Sequence, residues 1–155
     1  MPSLATTAIA PSGFTHAGGN AFARQLTADG TSSVTGGTLD VFDTLQIGGS
    51  ANGTLNIAGG TVGAGRLLLS SPGRTGTLNV LAGGTLDLGI AVSGGGTAQL
   101  NLNGGTIRTL PGATTSVPFT VGASGGTIDT GANAFTITGN MSGGGAVNKI
   151  GNGTL

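Results

Sequence analysis

One phrase recurs five times along this chain, and its spacing restricts the possible fold more than any other feature. It reads Gly36-Gly37-Thr38-Leu39, Gly59-Gly60-Thr61-Val62, Gly83-Gly84-Thr85-Leu86, Gly104-Gly105-Thr106-Ile107 and Gly125-Gly126-Thr127-Ile128. Its threonines, at 38, 61, 85, 106 and 127, stand 23, 24, 21 and 21 residues apart. A repeat of that length marks a stacked structure, in which each unit buries its apolar face only against its neighbours. A second element keeps step with the phrase: Gly53-Thr54-Leu55-Asn56-Ile57, Gly76-Thr77-Leu78-Asn79-Val80 and Ala98-Gln99-Leu100-Asn101-Leu102. A weaker copy, Gly30-Thr31-Ser32-Ser33-Val34, precedes the first phrase.

Between these marks the chain reads as strand, glycine corner, strand. Thr38 to Val41, Thr44-Leu45-Gln46-Ile47 and Thr54 to Ile57 alternate polar and apolar residues, as strands with one buried face do. Glycines between them supply the positive φ angles of sharp bends. No window sustains a helical period without a glycine pair breaking it. The pattern predicts an all-β chain, a right-handed parallel β-helix of about six coils of 21–24 residues over residues 30–155. Its clearest inward columns are Leu39, Val62, Leu86 and Ile107, beside Leu55, Leu78 and Leu100. Residues 1–29 lack the phrase and are expected to cap the stack or precede it as a leader. Within them, Asn20 to Ala28 reads as a short helix, with Asn20 as N-cap and Phe22 and Leu26 on one face.

Glycine supplies 34 of the 155 residues, which raises collagen and disorder as alternatives. Collagen needs glycine at every third position, a rule this spacing breaks throughout. Disorder goes with low hydrophobicity and high net charge, whereas 37% of this chain is hydrophobic and its net charge is zero. Zero net charge also argues against a nucleic-acid partner, which wants a basic stripe. No apolar run approaches the ~20 residues of a membrane-spanning helix. Met1 to Ala5 lacks a basic region leading into an apolar core, so no secretory signal is read there.

The fourth coil departs from the pattern. Leu110-Pro111-Gly112-Ala113-Thr114-Thr115-Ser116 reads as a loop extruded from the coil, and Pro111 and Pro118 cannot donate to a central ladder. Phe119-Thr120-Val121-Gly122-Ala123-Ser124 matches Leu45-Gln46-Ile47-Gly48-Gly49-Ser50 in pattern. On that match the last phrase, Gly126-Thr127-Ile128, moves to a different side of the coil.

The tail runs from Gly125 to Gly139 and on through Gly143-Gly144-Gly145-Ala146-Val147-Asn148-Lys149-Ile150-Gly151-Asn152-Gly153-Thr154-Leu155. It resembles the autotransporter-associated β-strand repeat, built from a glycine-rich turn, an apolar residue, Lys, and Gly-x-Gly-Thr-Leu. The matching positions are Gly144, Gly145, Val147, Lys149, Gly151, Gly153, Thr154 and Leu155. This resemblance implies a large bacterial surface protein, secreted through an outer-membrane barrel, and a structural or adhesive stalk rather than an enzyme. It also implies, as partners, flanking coils of the same or another chain and surface ligands contacted through other parts of the protein. No barrel strands follow, and the chain stops within the motif, so it reads as a piece of a longer solenoid. The open strand edges of its last coil are expected to associate end to end.

The residue after each phrase forms a column of Asp40, Gly63, Asp87, Arg108 and Asp129. The preceding residue points inward, so this column faces solvent. Strand spacing of ~4.8 Å sets Arg108 between Asp87 and Asp129. The simpler reading is a solvated charge ladder, whose exposed ion pairs contribute about 0–1 kcal/mol each. A sharper one makes Asp40 and Asp87 a catalytic pair across Gly63, ~9.6 Å apart, near the upper limit for an inverting glycosidase. Against a polysaccharide-cleaving enzyme stand the absence of Trp and Tyr and the scarcity of basic residues. His16, the only histidine, lies among small residues outside the repeat and lacks the ordered scaffold of a Ser-His-Asp site. A calcium-binding nonapeptide needs glycine where Leu39 stands, and no His/Cys cluster suggests zinc. The second column, Thr31/Ser33, Thr54/Asn56, Thr77/Asn79 and Gln99/Asn101, reads as a stacked amide ladder. A flat Thr/Asn face is also what an ice or surface binder needs, although Gln99 interrupts it. No catalytic, cofactor or metal residue is assigned.

Overall fold

The structure, a computed structural model, describes residues 8–10 and 12–155. Alternating side chains and glycine corners build one continuous stack of about six parallel turns, a β-solenoid. Two long strands show the principle. Gly30–Ile47 bends around three faces of a coil without leaving the ladder, and Gly53–Leu69 follows it one level on. The pairs Thr31↔Thr54, Leu39↔Val62 and Leu45↔Leu67 fix their register, one on each face. The phrase face carries Thr38, Thr61, Thr85, Thr106 and Thr127 at successive levels. The amide face carries Ser33, Asn56, Asn79, Asn101 and Thr120. The third face carries Leu26, Leu45, Leu67, Ala91, Thr115 and Ile137.

Later strands are shorter but keep the order: Thr75–Leu81, Gly84–Ser93, Thr97–Asn103, Thr106–Thr115, Phe119–Val121, Gly126–Asp129, Phe135–Ile137, Met141–Gly143 and Val147–Ile150. Inward columns fill the interior. Leu39, Val62, Leu86, Ile107 and Ile128 are buried along the phrase face, and Leu55, Leu78, Leu100 and Phe119 along the amide face. Ser32 heads the latter column instead of an apolar residue, and its hydroxyl accepts the Phe14 amide at 3.2 Å. Corners demand glycine where the coils pack closest. Gly37 and Gly60 stack with φ of 72° and 69°, and a Cβ on Gly60 would run into the Gly37 carbonyl oxygen.

Asn20–Ala28 is a strand, not the helix expected from its sequence. It pairs with the first long strand from Asn20↔Thr38 to Ala28↔Ile47 and buries Ala23, Leu26 and Ala28. A complete partner strand satisfies its backbone and covers its alternating face, and this outweighs a local helical preference. The stack therefore reaches back past Gly30, to Thr15–His16 against Ser33–Val34 and Ala8–Ala10 against Leu26–Ala28. Of the 1–29 segment expected as cap or leader, residues 1–7 and 11 lie outside the described residues.

The fifth phrase stays in its column: Thr127 pairs with Thr106, and Phe119 pairs with Leu100. The match of Phe119–Ser124 to Leu45–Ser50 does not fix the face, because apolar-polar-apolar triplets such as Leu45-Gln46-Ile47 and Leu100-Asn101-Leu102 recur on different faces of the stack. Leu110 to Ala113 occupy the interval that Gly89 alone spans one coil earlier. A shorter run from Thr115 to Phe119 compensates, and the phrase returns to register. The extruded loop is also narrower than expected. Only Leu110, Pro111 and Gly112 project, while Ala113 and Thr115 are buried and Thr114 pairs with Ile90. At the last level Lys149 takes the register position held by Ile128 one coil before, and its exposed ammonium donates to the Gly151 carbonyl at 2.9 Å.

Candidate functional site

The phrase face carries a mixed outward column. Register aligns Phe22, Asp40, Gly63, Asp87, Arg108, Asp129 and Ile150 at successive levels. Arg108 sits between two aspartates, as the spacing predicted, but it engages only one through hydrogen bonds. Its Nε and Nη2 donate to the two carboxylate oxygens of Asp87 at 2.6 and 2.7 Å. This paired fork raises the guanidinium above its ordinary value, with a smaller push from the charge of Asp129. Asp129 turns instead to the Gly131 amide at 2.9 Å.

Asp40 stands apart from this pairing. Its side chain makes no hydrogen bond among the described residues, and it leans over Gly63, where an added Cβ would meet Oδ1 at 2.5 Å. Beside it the coil turns the corner through Phe42, Gly65, Gly89 and Leu110 at successive levels. The two glycines leave that edge bare, and the large side chains stand at either end of the gap. The result is an open notch of about 300 Å³ bordered by Asp40, Phe42, Gly63, Gly65, Asp87 and Leu110. Beyond Leu110 a second hollow of about 250 Å³ continues along the same face, bordered by Asp87, Arg108, Asp129 and Gly131. The structure thus brings Asp40 and Asp87 to one notch. Both oxygens of Asp87 accept from Arg108, whereas Asp40 accepts no side-chain hydrogen bond among the described residues.

Phe42 is 61% exposed, yet it is not loose. The Phe22 ring lies parallel to it, with centroids 6.1 Å apart and planes 5° from coplanar. Phe22 belongs to the preceding level, so the ring of Phe42 presents its other side toward Gly65 and the notch. Sequence reasoning missed this pair because it took Asn20 to Ala28 for a helix. The usable signal was the pair of phenylalanines 20 positions apart, close to one coil.

The amide face is a different construction. Asn79 donates from Nδ2 to Asn56 Oδ1 and Asn101 donates to Asn79 Oδ1, both at 2.8 Å. The ladder stops at Asn101, whose buried Oδ1 has no partner among the described residues. At the next level stands Thr120, whose hydroxyl engages Gln99 Nε2 at 3.5 Å and Ser142 at 3.3 Å. His16 lies inside the stack rather than outside it: it pairs with Val34, and its buried Nε2 has no partner among the described residues.

A further carboxylate was not foreseen. Asp29, 1% exposed, accepts from the Gly49 amide at 2.7 Å, the Ser50 amide at 3.2 Å and the Ser50 hydroxyl at 2.7 Å. Burial alone pushes this carboxyl up, but the Ser50 hydroxyl and the amides of Gly49, Ser50 and Ala51 outweigh it and hold it below its ordinary value. Asp29 fastens the Gly48-Gly49-Ser50 corner to the coil before it. Among the described residues no three His, Cys, Asp or Glu side chains group as metal ligands would, and no helix is long and apolar enough to cross a membrane. Comparison with protein-family models, curated proteins and solved structures found no match.

Proposed function

We propose that this chain is a structural module, a length of β-solenoid stalk in a secreted, autotransporter-like bacterial surface protein that spaces or presents other parts of that protein. The observation that carries this reading is the continuity of in-register columns over every level, which makes the stack a rod in which each coil is held by the next. The tail supports it from a second side. Its residues Gly144, Gly145, Val147, Lys149, Gly151, Gly153, Thr154 and Leu155 carry the resemblance to the autotransporter-associated repeat. They also continue the coil geometry: Gly153 donates its amide to Gly131 at 2.8 Å, and Thr154 accepts from the Phe135 amide at 2.9 Å.

Display on a cell tests the proposal. The chain is placed between an epitope-tagged secretion signal and an outer-membrane β-barrel in a Gram-negative host. The epitope should appear on the surface, and the solenoid should resist a protease that destroys its Leu78→Asp form. Retention inside the cell, or equal digestion of both forms, overturns the proposal. Release of reducing ends from polysaccharide, lost in Asp40→Ala, would replace it with the enzymatic reading.

A further inference from the structure

The notch between Phe42 and Leu110 interrupts the regularity of the stack. A regular rod would carry the same corner residue at every level, as the amide face repeats Asn56, Asn79 and Asn101. Here Gly65 borders the gap at the corner, Gly63 lies in the neighbouring column under the Asp40 carboxylate, and Phe42 and Leu110 close the ends. Gly89 is demanded by the packing, since a Cβ there would run into the Gly65 carbonyl oxygen, whereas a Cβ on Gly65 would meet only the Phe42 carbonyl oxygen at 3.2 Å. Three features there share one chemistry. Phe42 is a flat apolar surface, held by Phe22 and facing the gap. Asp40 is a carboxylate with no hydrogen-bond partner among the described residues, at the edge of that surface. The gap itself opens to solvent and continues past Leu110 into the second hollow.

We propose that this notch binds a neutral pyranose unit of a glycan chain laid along the phrase face. The apolar C–H face of the sugar stacks on Phe42, and two of its hydroxyls donate to Asp40. Gly65 lets the ring approach the backbone, and Leu110 bounds it on the far side. Charge selects within the sugars. Asp40 repels uronic acids, and Arg108, the cation bordering the second hollow, is already held by Asp87. Binding proceeds without cleavage, since both oxygens of Asp87 are engaged by the Arg108 fork, which holds that carboxylate to a structural pairing. This goes beyond the stalk reading and does not depend on it, because a display failure leaves the notch intact.

The test is titration of the isotope-labelled 155-residue chain, followed through its backbone amides, with neutral gluco-, manno- and galacto-configured hexasaccharides. An oligogalacturonate and a chitosan hexamer serve as acidic and cationic counterparts. At least one neutral chain should give saturable shifts centred on Gly63 and Gly65. Phe42→Ala and Asp40→Asn should each weaken it roughly tenfold, while Arg74→Ala, at the corner before the Thr75–Leu81 strand, leaves it unchanged. Both Phe42 and Asp40 are outward residues, and unchanged spectra elsewhere verify that the variants fold. Absence of saturable shifts with all three neutral chains overturns the proposal. So does binding indifferent to Phe42→Ala, tighter binding of chitosan than of any neutral chain, or release of new reducing ends.

Discussion

Two outward columns run side by side on this stack, and they solve the same problem in opposite ways. On the amide face one residue type repeats, and each Asn satisfies the next at 2.8 Å. On the phrase face the type changes at every level: Phe22, Asp40, Gly63, Asp87, Arg108, Asp129. Repetition lets a polar column turn its hydrogen bonds from level to level and become part of the framework, down to Asn101 where the repeat ends. Variation leaves something over, here the Asp40 carboxylate and the cleared corner beside it. In a repeat protein the levels that break the column are therefore where a surface is free to do something other than stack.

The sharpest blow to the comparison falls on what the two columns share, the core behind them. Leu78→Asp, beneath the Asn ladder, and Leu86→Asp, beneath the Asp column, each bury an unpaired charge at a fully enclosed position. Both should abolish the cooperative melting transition; a parental melt for either one would mean that its column does not face inward. Next in size is Asn79→Ala, which strands the Asn56 oxygen and the Asn101 amide together. It should cost about 2 kcal/mol in denaturant unfolding. Asp87→Ala on the other column should cost only about 0–1 kcal/mol, and that cost should vanish in high salt. If Asp87→Ala proves the more damaging, the framework role belongs to the wrong column.

Asp29 supplies a third behaviour, on neither column. Its folded-state value is depressed, so its contribution is present above the ordinary carboxylate value of about 3.9 and is lost as pH falls through the lower folded value. Melting temperature should therefore fall as pH drops below about 4, and Asp29→Asn should flatten that acid limb. A limb of unchanged steepness would assign it to other carboxylates. The smallest effect belongs to Gly63→Ala. Its φ is not in the left-handed region and the new methyl meets only the movable tip of Asp40, so stability should change by less than about 0.5 kcal/mol. Loss of more than that would show that Gly63 serves packing, not the notch.

Much of this was legible in the sequence, for a physical reason. Period and alternation fix which residues share a column, so Leu39 to Ile107 and Asp40 to Asp129 could be aligned without coordinates. What the phrase does not mark went unread. Asn20–Ala28 has no phrase, and its Phe22 and Leu26 fit a helical spacing as well as a solenoid one. Phe119-Thr120-Val121 could not be placed by its own letters, because an apolar-polar-apolar triplet suits any face and only the compensating shortening before it restores register. Side-chain choice was beyond the pattern too: the spacing set Arg108 between two aspartates, but a two-point fork to Asp87 needed atoms to be seen.

The bridging contacts in this molecule share a limited reach: the hydrogen-bonded side chains that tie one level to the next lie 18 to 25 positions apart, from Phe14–Ser32 to Gln46–Ser71. A globular core closes on itself, so its size is written into its surface curvature. This stack has a grammar for the next clause and none for the full stop. Copying one coil's worth of gene inserts a unit whose two neighbours already accept it, and deleting one rejoins surfaces of the same kind. Such a protein can be lengthened or shortened by unequal recombination wherever neighbouring levels repeat the same columns, as at Asn56 and Asn79, whereas a cut between Phe22 and Phe42 or between Asp87 and Arg108 would part a private pair.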